Sequence, residues 1–182
     1  MSEKKEIDTN ELIDIIGYEG IYKIHPNTGD VWSNYKKRFL KPATNSCGYK
    51  YVVLCNKENK RNHKSIHRLV YQSVNNVLDL DIDGYVVDHK DNNRINNNID
   101  NLRLATVSQN AHNSDKISSN TGYKGIHKDK RGYYVCQVNC VGDKQKFVTK
   151  NLDIAIRFTQ NMRKILHGEF ANDGSPSNNT SD

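Results

Sequence analysis

Asp88 and His89 stand side by side at the end of an apolar run, Tyr85-Val-Val-Asp-His89, and carboxamides follow at Asn101 and Asn110. A carboxylate is a hard oxygen ligand. Ions such as Mg²⁺ take few protein oxygens and complete their shell with water and substrate oxygens. An imidazole titrates near neutral pH and can take a proton from water. A carboxamide oxygen can ligate a metal or accept the Nδ1 proton of an imidazole, which fixes ring orientation and tautomer. Together these are parts for activating water beside a phosphate. Asp88 suits the metal, and Asn110 offers a second hard oxygen. His89 suits the base, and Asn101 can orient it. Adjacent residues on a strand point to opposite faces. Asp88 and His89 therefore converge only if the strand ends or bulges there.

The elements around them can be read from pattern. Residues 84–113 read as strand, Asn-rich loop, strand and helix. Thr106-Val-Ser-Gln109 has the form of a capping box, which puts Asn110 in the first turn of that helix. His112 lies two residues on, about 200° around the helix, and does not substitute for Asn110. Ser65 to Val74 reads as a preceding helix, with Ile66, Leu69, Val70 and Val74 on one face. His67 on it reads as structural, packed beside the site or touching phosphate. The other asparagines, 92, 93 and 96–98, read as loop and turn residues, and Asn97 or Asn98 could brace the loop by hydrogen bonds.

Residues 16–60 read as short strands with a turn at Pro26 and Gly29, and Tyr49 to Cys55 is a strand by its β-branched and aromatic content. Beyond residue 120 three strands alternate, near 122–128, 132–140 and 144–149. A helix follows with Asp153 as N-cap and Leu152, Ala155, Ile156, Met162, Ile165 and Leu166 toward the sheet. Such a helix covers one sheet face and leaves the other open. The chain thus divides into a flexible N-terminus (1–14), a β-rich module (15–62), the Asp-His core (63–115), a linker (116–120), a second module (121–171) and a disordered tail (172–182).

Composition agrees with several small modules. The 182 residues are 35% hydrophobic, which favours modest cores over one large one. The net charge is +6 and unevenly placed: residues 36–68 carry ten Lys/Arg and one acid, residues 120–170 ten and four, and residues 69–119 four and seven. A mildly acidic centre between basic flanks suits a polyanionic partner. The cations expected on phosphates are Lys36, Lys37, Arg38 and Lys41, then Arg94, and on the second module Lys124, Lys128, Lys130, Arg131, Lys144 and Lys146. Such contacts give affinity that falls with salt, whereas specificity needs base edges. Tyr123, Tyr133, Tyr134 and Phe147 read as sheet-packing residues. Cys47, Cys55, Cys136 and Cys140 form no CxxC and read as small apolar side chains in a reducing cytosol. No signal peptide or membrane span is visible.

At Asp88, His89, Asn101 and Asn110 the chain resembles the HNH endonucleases, particularly the phage intron-encoded homing type. His67-Arg-Leu-Val-Tyr71 matches the helix that precedes the core in that family. The resemblance implies Asp88 and Asn110 as ligands of Mg²⁺ or Mn²⁺, His89 as general base and Asn101 as its orienter. The last position is Asn where the plainest family pattern has His, as is common in the intron-encoded branch. Gly17-Tyr-Glu-Gly-Ile-Tyr-Lys-Ile24 and Gly29-Asp-Val-Trp-Ser33 resemble the small module that precedes many homing cores. Gly122-Tyr-Lys-Gly-Ile-His127, Tyr134-Val-Cys-Gln-Val138 and His167-Gly-Glu-Phe-Ala171 resemble the Apetala2/ethylene-response-factor domain. There a three-stranded sheet reads the major groove. The Trp and Arg richness of that family's strands is missing, so base specificity does not carry over.

The implied fold class is α+β: a ββα-metal (His-Me finger) nuclease core, flanked by a β-rich N-terminal module and a C-terminal three-stranded antiparallel sheet plus helix. The implied function is metal-dependent cleavage of double-stranded DNA by a monomer with no obligate protein partner, in the cytoplasm of a phage-infected bacterium or similar cell. The alternatives are a DNA-binding protein that does not cleave, or an RNA-binding or structural phage protein. Neither alternative accounts for the Asp-His…Asn…Asn set.

Overall fold

The computed structural model describes residues 9–78, 84–117, 119–140 and 142–172. Of the expected disordered tail (172–182), Asn172 is placed and hydrogen-bonded to Asn113 O, and residues 173–182 lie outside the described residues, as does most of the expected flexible N-terminus. The fold is mixed α/β, with small antiparallel sheets and short helices. No helix among the described residues is long and apolar enough to cross a membrane. The chain divides into two compact units between Thr106 and Val107.

The first unit holds three sheets. One contains β1 (Ile13–Asp14), β2 (Tyr22–Ile24), β3 (Val31–Ser33) and β4 (Arg38–Phe39) in that order. The next contains β5 (Ala43–Thr44), β6 (Lys50–Cys55) and β7 (Arg61–Ser65). The third is a ribbon of β8 (Tyr85–His89) and β9 (Leu102–Thr106). Between them lies α1 (Ile66–Asn75), in contact with strands of all three sheets. Its Ile66, Leu69 and Val70 are buried as the helical period requires, whereas Val74, expected on the same face, is exposed in the last turn. It ends where Asn76 adopts the left-handed conformation and its N–H returns to Gln72 O, a conformation Asn tolerates better than most side chains.

One apolar core runs through the unit, from Ile15, Ile24 and Val31 to Val52 and Leu54, Leu69 and Val70, then Val87 and Leu102. Sequence reading separated residues 15–62 from the core that follows, but the structure closes both around one interior. The reason is size: strands of two or three residues cannot bury enough apolar surface alone. The turn before β3 also braces the ribbon. Ile99 N donates to Pro26 O at 3.0 Å. Gly29 has φ +74°, and a Cβ there would meet Ile66 Cγ2 at 2.5 Å and Asn97 Cβ at 3.2 Å.

The second unit starts with α2 (Val107–Asn113) and continues into a three-stranded sheet of β10 (Ile126–Lys128), β11 (Tyr134–Cys140) and β12 (Asp143–Thr149). The 16-residue α3 (Leu152–His167) packs on one face of it. Its N-cap is Asn151, whose side chain accepts from Asp153 N and Ile154 N. Asp153, expected as the cap, lies in the first turn, where its charge suits the helix dipole. Ile126, Cys136 and Ala155 form the buried centre of this unit, with Phe147 stacked on Phe158 at 4.8 Å.

Gly29→Ala is expected to destabilise the protein by ~1–3 kcal/mol through overpacking and unfavourable φ. A urea-unfolding midpoint equal to wild type would contradict this tight approach of the turn to α1 and Asn97.

Candidate functional site

Burial along β8 rises toward its C-terminal end, where Val87, Asp88 and His89 are all buried. Two polar groups buried in succession each need a partner. For Asp88 the partner comes from the ribbon itself. Its cross-strand neighbour is Arg103, whose Nε donates to Asp88 Oδ2 at 2.9 Å, with side-chain exposures of 11% and 5%. A charge-assisted bond in such a setting fixes the carboxylate strongly.

His89 is the last residue of the strand and pairs with Leu102. The ladder runs regularly to this point and then turns, with Asn92 N donating to His89 O at 3.0 Å. The strand therefore ends at the Asp-His pair without a bulge. The His89 ring lies 5.1 Å from His67 and 5.9 Å from Tyr49. Its Nε2 is 3.2 Å from Asn97 Oδ1. Asn97 Nδ2 donates to Ile95 O, which turns its oxygen to the imidazole. An oxygen can only accept, so Nε2 carries the proton and Nδ1 holds the basic lone pair.

Burial lowers the pKa of His89, outweighing the Asn97 contact and the nearby Asp91 and Asp88, which raise it. Burial, aided by His89 and Arg68, brings His67 to about 3. Two neutral imidazoles thus lie together, and His67 takes the structural place expected of it, ring to ring with Tyr49 at 4.9 Å.

Asn101 was expected to orient His89 by accepting its Nδ1 proton, but in the structure the oxygen on the ring is that of Asn97, and it meets Nε2. The Asn101 Nδ2 donates to Asp91 Oδ1 and Asn96 O, both at 2.9 Å, and its Oδ1 accepts from Asp91 N. Asn96 Nδ2 adds a 2.7 Å bond to Asp91 Oδ2, and Asn93 N one of 2.8 Å to Oδ1. Burial pushes the Asp91 carboxyl up, yet these donors prevail and its pKa falls. The Asn-rich loop is therefore a cage around Asp91, closed by Asn101. Asn97 escaped sequence reasoning because it sits in a run of three asparagines, where residue type alone does not say which one turns inward.

Asn110 is exposed on α2, in the second unit. The boundary expected at residues 116–120 falls instead before α2. The carbonyls at the end of that helix and just past it are held by side chains further along the chain: Lys124 Nζ donates to His112 O at 2.8 Å and to Ser114 O, and Asn172 Nδ2 to Asn113 O at 3.0 Å. Lys124 is therefore not the phosphate-facing cation it was expected to be. Burial, and then Arg163, bring its pKa to about 8 against the pull of Asp115.

The other expected cations are exposed. Lys36, Lys37, Arg38 and Lys41 cluster where β3 turns into β4, and Lys37 holds φ 50°. Arg94 Nη1 donates to Cys47 O at 2.6 Å, with the guanidinium 5.2 Å from the Tyr49 ring centre. Lys144 and Lys146 pair with Asn139 and Gln137. By strand alternation these lie on the sheet face opposite the one that carries Cys136 toward α3. Lys128 lies over Tyr134, and Arg131 over Tyr133 with its guanidinium also on Asp129. Lys130 is in the turn between β10 and β11.

A family model described as HNH endonuclease matches residues 64–112. The chain is 37% identical over 90 residues to Protein 3.8 of Escherichia phage T7, across 48% of this chain and 74% of that protein. It is 39% identical over 103 residues to DNA endonuclease I-HmuI of Bacillus phage SP01, across 57% of this chain and 56% of that enzyme. Among solved structures, one described as DNA binding and cleavage by the HNH homing endonuclease I-HmuI aligns with a TM-score of 0.50 and 25% identity. That alignment covers 90% of this chain and 94% of the other.

The neutral burial of His67 has a pH signature. In the unfolded chain the ring takes a proton near pH 6.5, but in the folded chain only near 3. Below about pH 6.5 the unfolded state thus binds more protons, and stability falls as pH drops toward 3. His67→Phe is expected to narrow the stability difference between pH 7 and pH 5 in urea titrations. An undiminished difference would assign the acid sensitivity to other groups.

Proposed function

The chain belongs to the HNH endonuclease family and is a DNA endonuclease, and from that premise we propose that it is a site-specific, homing-type enzyme that cuts double-stranded DNA with the aid of Mg²⁺ or Mn²⁺. The observation that carries the mechanism is His89 at the buried end of β8, with Nε2 against Asn97 Oδ1. In the tautomer this contact selects, Nδ1 is the basic nitrogen and takes a proton from the water that attacks phosphorus in line. Asn97 holds the ring in that tautomer and steadies the imidazolium that forms. The departing 3′ oxygen takes a proton from solvent water and leaves as a 3′-hydroxyl, and the new ends carry 5′-phosphates.

Asp88 and Asn110 are the proposed metal ligands, assigned from their places in the matched motif. Their donor chemistry fits: a carboxylate and a carboxamide oxygen are hard ligands of the kind Mg²⁺ and Mn²⁺ prefer. Arg103 on Asp88 Oδ2 keeps the carboxylate in one orientation. A divalent ion bound there would neutralise phosphate charge and the developing charge on the 3′ oxygen.

The N-terminal strands are proposed as the small module that accompanies homing cores, presenting Lys36, Lys37, Arg38 and Lys41 to DNA, with Arg94 on the Asn-rich loop beside them in role. The second unit is proposed as an Apetala2-like DNA-binding module. Its three-stranded sheet with one helix behind supports this, with Lys144 and Lys146 on the uncovered face and Lys128, Lys130 and Arg131 on or beside β10. One proposed site per chain, acting as a monomer, would nick DNA rather than break both strands.

Supercoiled plasmid or phage DNA with Mn²⁺ or Mg²⁺ tests the chemistry. Wild type should convert it to nicked circles. His89→Ala should slow this by roughly a hundred- to ten-thousand-fold, the usual worth of a general base, and EDTA should abolish it. Full activity in His89→Ala would reject the base assignment. DNA binding without nicking on every substrate tried would favour the non-cleaving reading.

A second expectation concerns binding alone. Removing both Lys144 and Lys146 should reduce the slope of log affinity against log salt by about 1.8 if each meets one phosphate. An unchanged slope would take the sheet face out of the DNA contact.

A further inference from the structure

The short helix α2 lacks what usually holds a helix in place. It has seven residues, well below the length at which an isolated helix is stable in water. Its one buried residue is the polar Asn113, and Val107 at its start is 63% exposed. Apolar burial does not fasten it. The contacts at its C-terminal end are polar and stacking ones.

The last carbonyls of a helix have no partners within it. Here Lys124 takes His112 O and, just past the helix, Ser114 O, and Asn172 takes Asn113 O between them. The His112 ring stacks on His167 with centres 3.8 Å apart and planes within 4°. His167 in turn donates from Nε2 to Asn139 O at 2.9 Å. An ammonium at the negative end of a helix is favourable in itself.

Lys124 stands on a rigid base. Its own carbonyl accepts from the Arg163 guanidinium. The next residue, Gly125, has φ +73° and no room for a Cβ, which would meet Gln137 O at 2.6 Å and Arg163 Nη2 at 2.8 Å. Gln137 N donates to Gly125 O at 2.8 Å. The turn that presents Lys124 is thus joined to both β11 and α3.

We propose that Lys124, with Asn172, is a positioning residue for the cleavage reaction: it holds the C-terminal end of α2 and thereby the place of Asn110. The second unit then serves catalysis as well as DNA binding. This rests on the reading of Asn110 as a metal ligand, so its test includes that residue.

The full chain is compared as wild type, Lys124→Met, Lys124→Arg, Asn172→Ala, Asn110→Ala and, as a surface control, Lys164→Met. Two quantities are read: amide hydrogen exchange of segment 107–113 against segment 134–140, and the Mn²⁺ concentration for half-maximal nicking. Loss of two charge-assisted bonds should speed exchange in 107–113 by about tenfold or more, with 134–140 unchanged. The Mn²⁺ requirement should rise about as much. Lys124→Arg should restore both, Asn172→Ala should show a smaller version of both, and Lys164→Met should match wild type.

Wild-type exchange in 107–113 for both Lys124→Met and Asn172→Ala would overturn the proposal. So would a loosened helix with an unchanged Mn²⁺ requirement while Asn110→Ala raises it. If Lys124→Met loses protection throughout, Asn172→Ala decides by the same criteria. If Asn110→Ala leaves the Mn²⁺ requirement at its wild-type value, the ligand reading falls and the positioning role with it. The exchange data show which of the two failed.

Discussion

The organisation of the first unit depends on the burial of two polar side chains in succession at the end of β8. A carboxylate removed from water is costly unless paired, and an imidazole removed from water is held neutral. Asp88 meets the first condition through Arg103, its neighbour in the ladder. His89 meets the second by its place among His67, Tyr49 and Asn97. The pairing register of β8 and β9 is therefore an electrostatic constraint as well as a geometric one. A slip by one residue would put Leu102 or Leu104 opposite the carboxylate and leave Arg103 facing the wrong side of the ribbon.

Around that ribbon end the chain uses carboxamides where other loops would use apolar contacts. Asp91 gathers donors from Asn93, Asn96 and Asn101, and Asn98 accepts from Asp100 N. Such local side-chain bonds give a loop a defined shape without burying much surface. The loop is also held from outside, by the Ile99–Pro26 bond and by the close approach of Gly29 to Asn97. The N-terminal strands thus shape the shell around His89 through backbone contacts.

The cations of the second unit stand in two kinds of surroundings. Lys144 and Lys146 stand on exposed strand positions, whereas Lys124 is turned to backbone carbonyls. An ammonium committed to carbonyls in a half-buried place is poorly available to phosphate, and its lowered pKa reflects the lost hydration. Net charge therefore overstates the surface that a polyanion would meet.

Several features were legible in the sequence because they depend on neighbours along the chain. The apolar period of Ile66, Leu69 and Val70, the β-branched and aromatic content of residues 49–55, and the order strand, loop, strand, helix around Asp88 and His89 all follow from local pattern. So does the chemistry available at each position. Other features depend on which distant groups meet when the core closes. The sequence offers three adjacent asparagines and does not tell which one reaches the imidazole. It offers several lysines on one module and does not tell which one caps a helix. It suggests a linker after residue 115, while α2 belongs with the unit that follows because Lys124 and Asn172 satisfy its carbonyls. Residue types and spacing determined which candidate groups the chain offers and the elements that carry them. Tertiary structure decided the partners of each polar group, because burial makes an unpartnered donor or acceptor expensive and the partner is whichever group packing brings within reach.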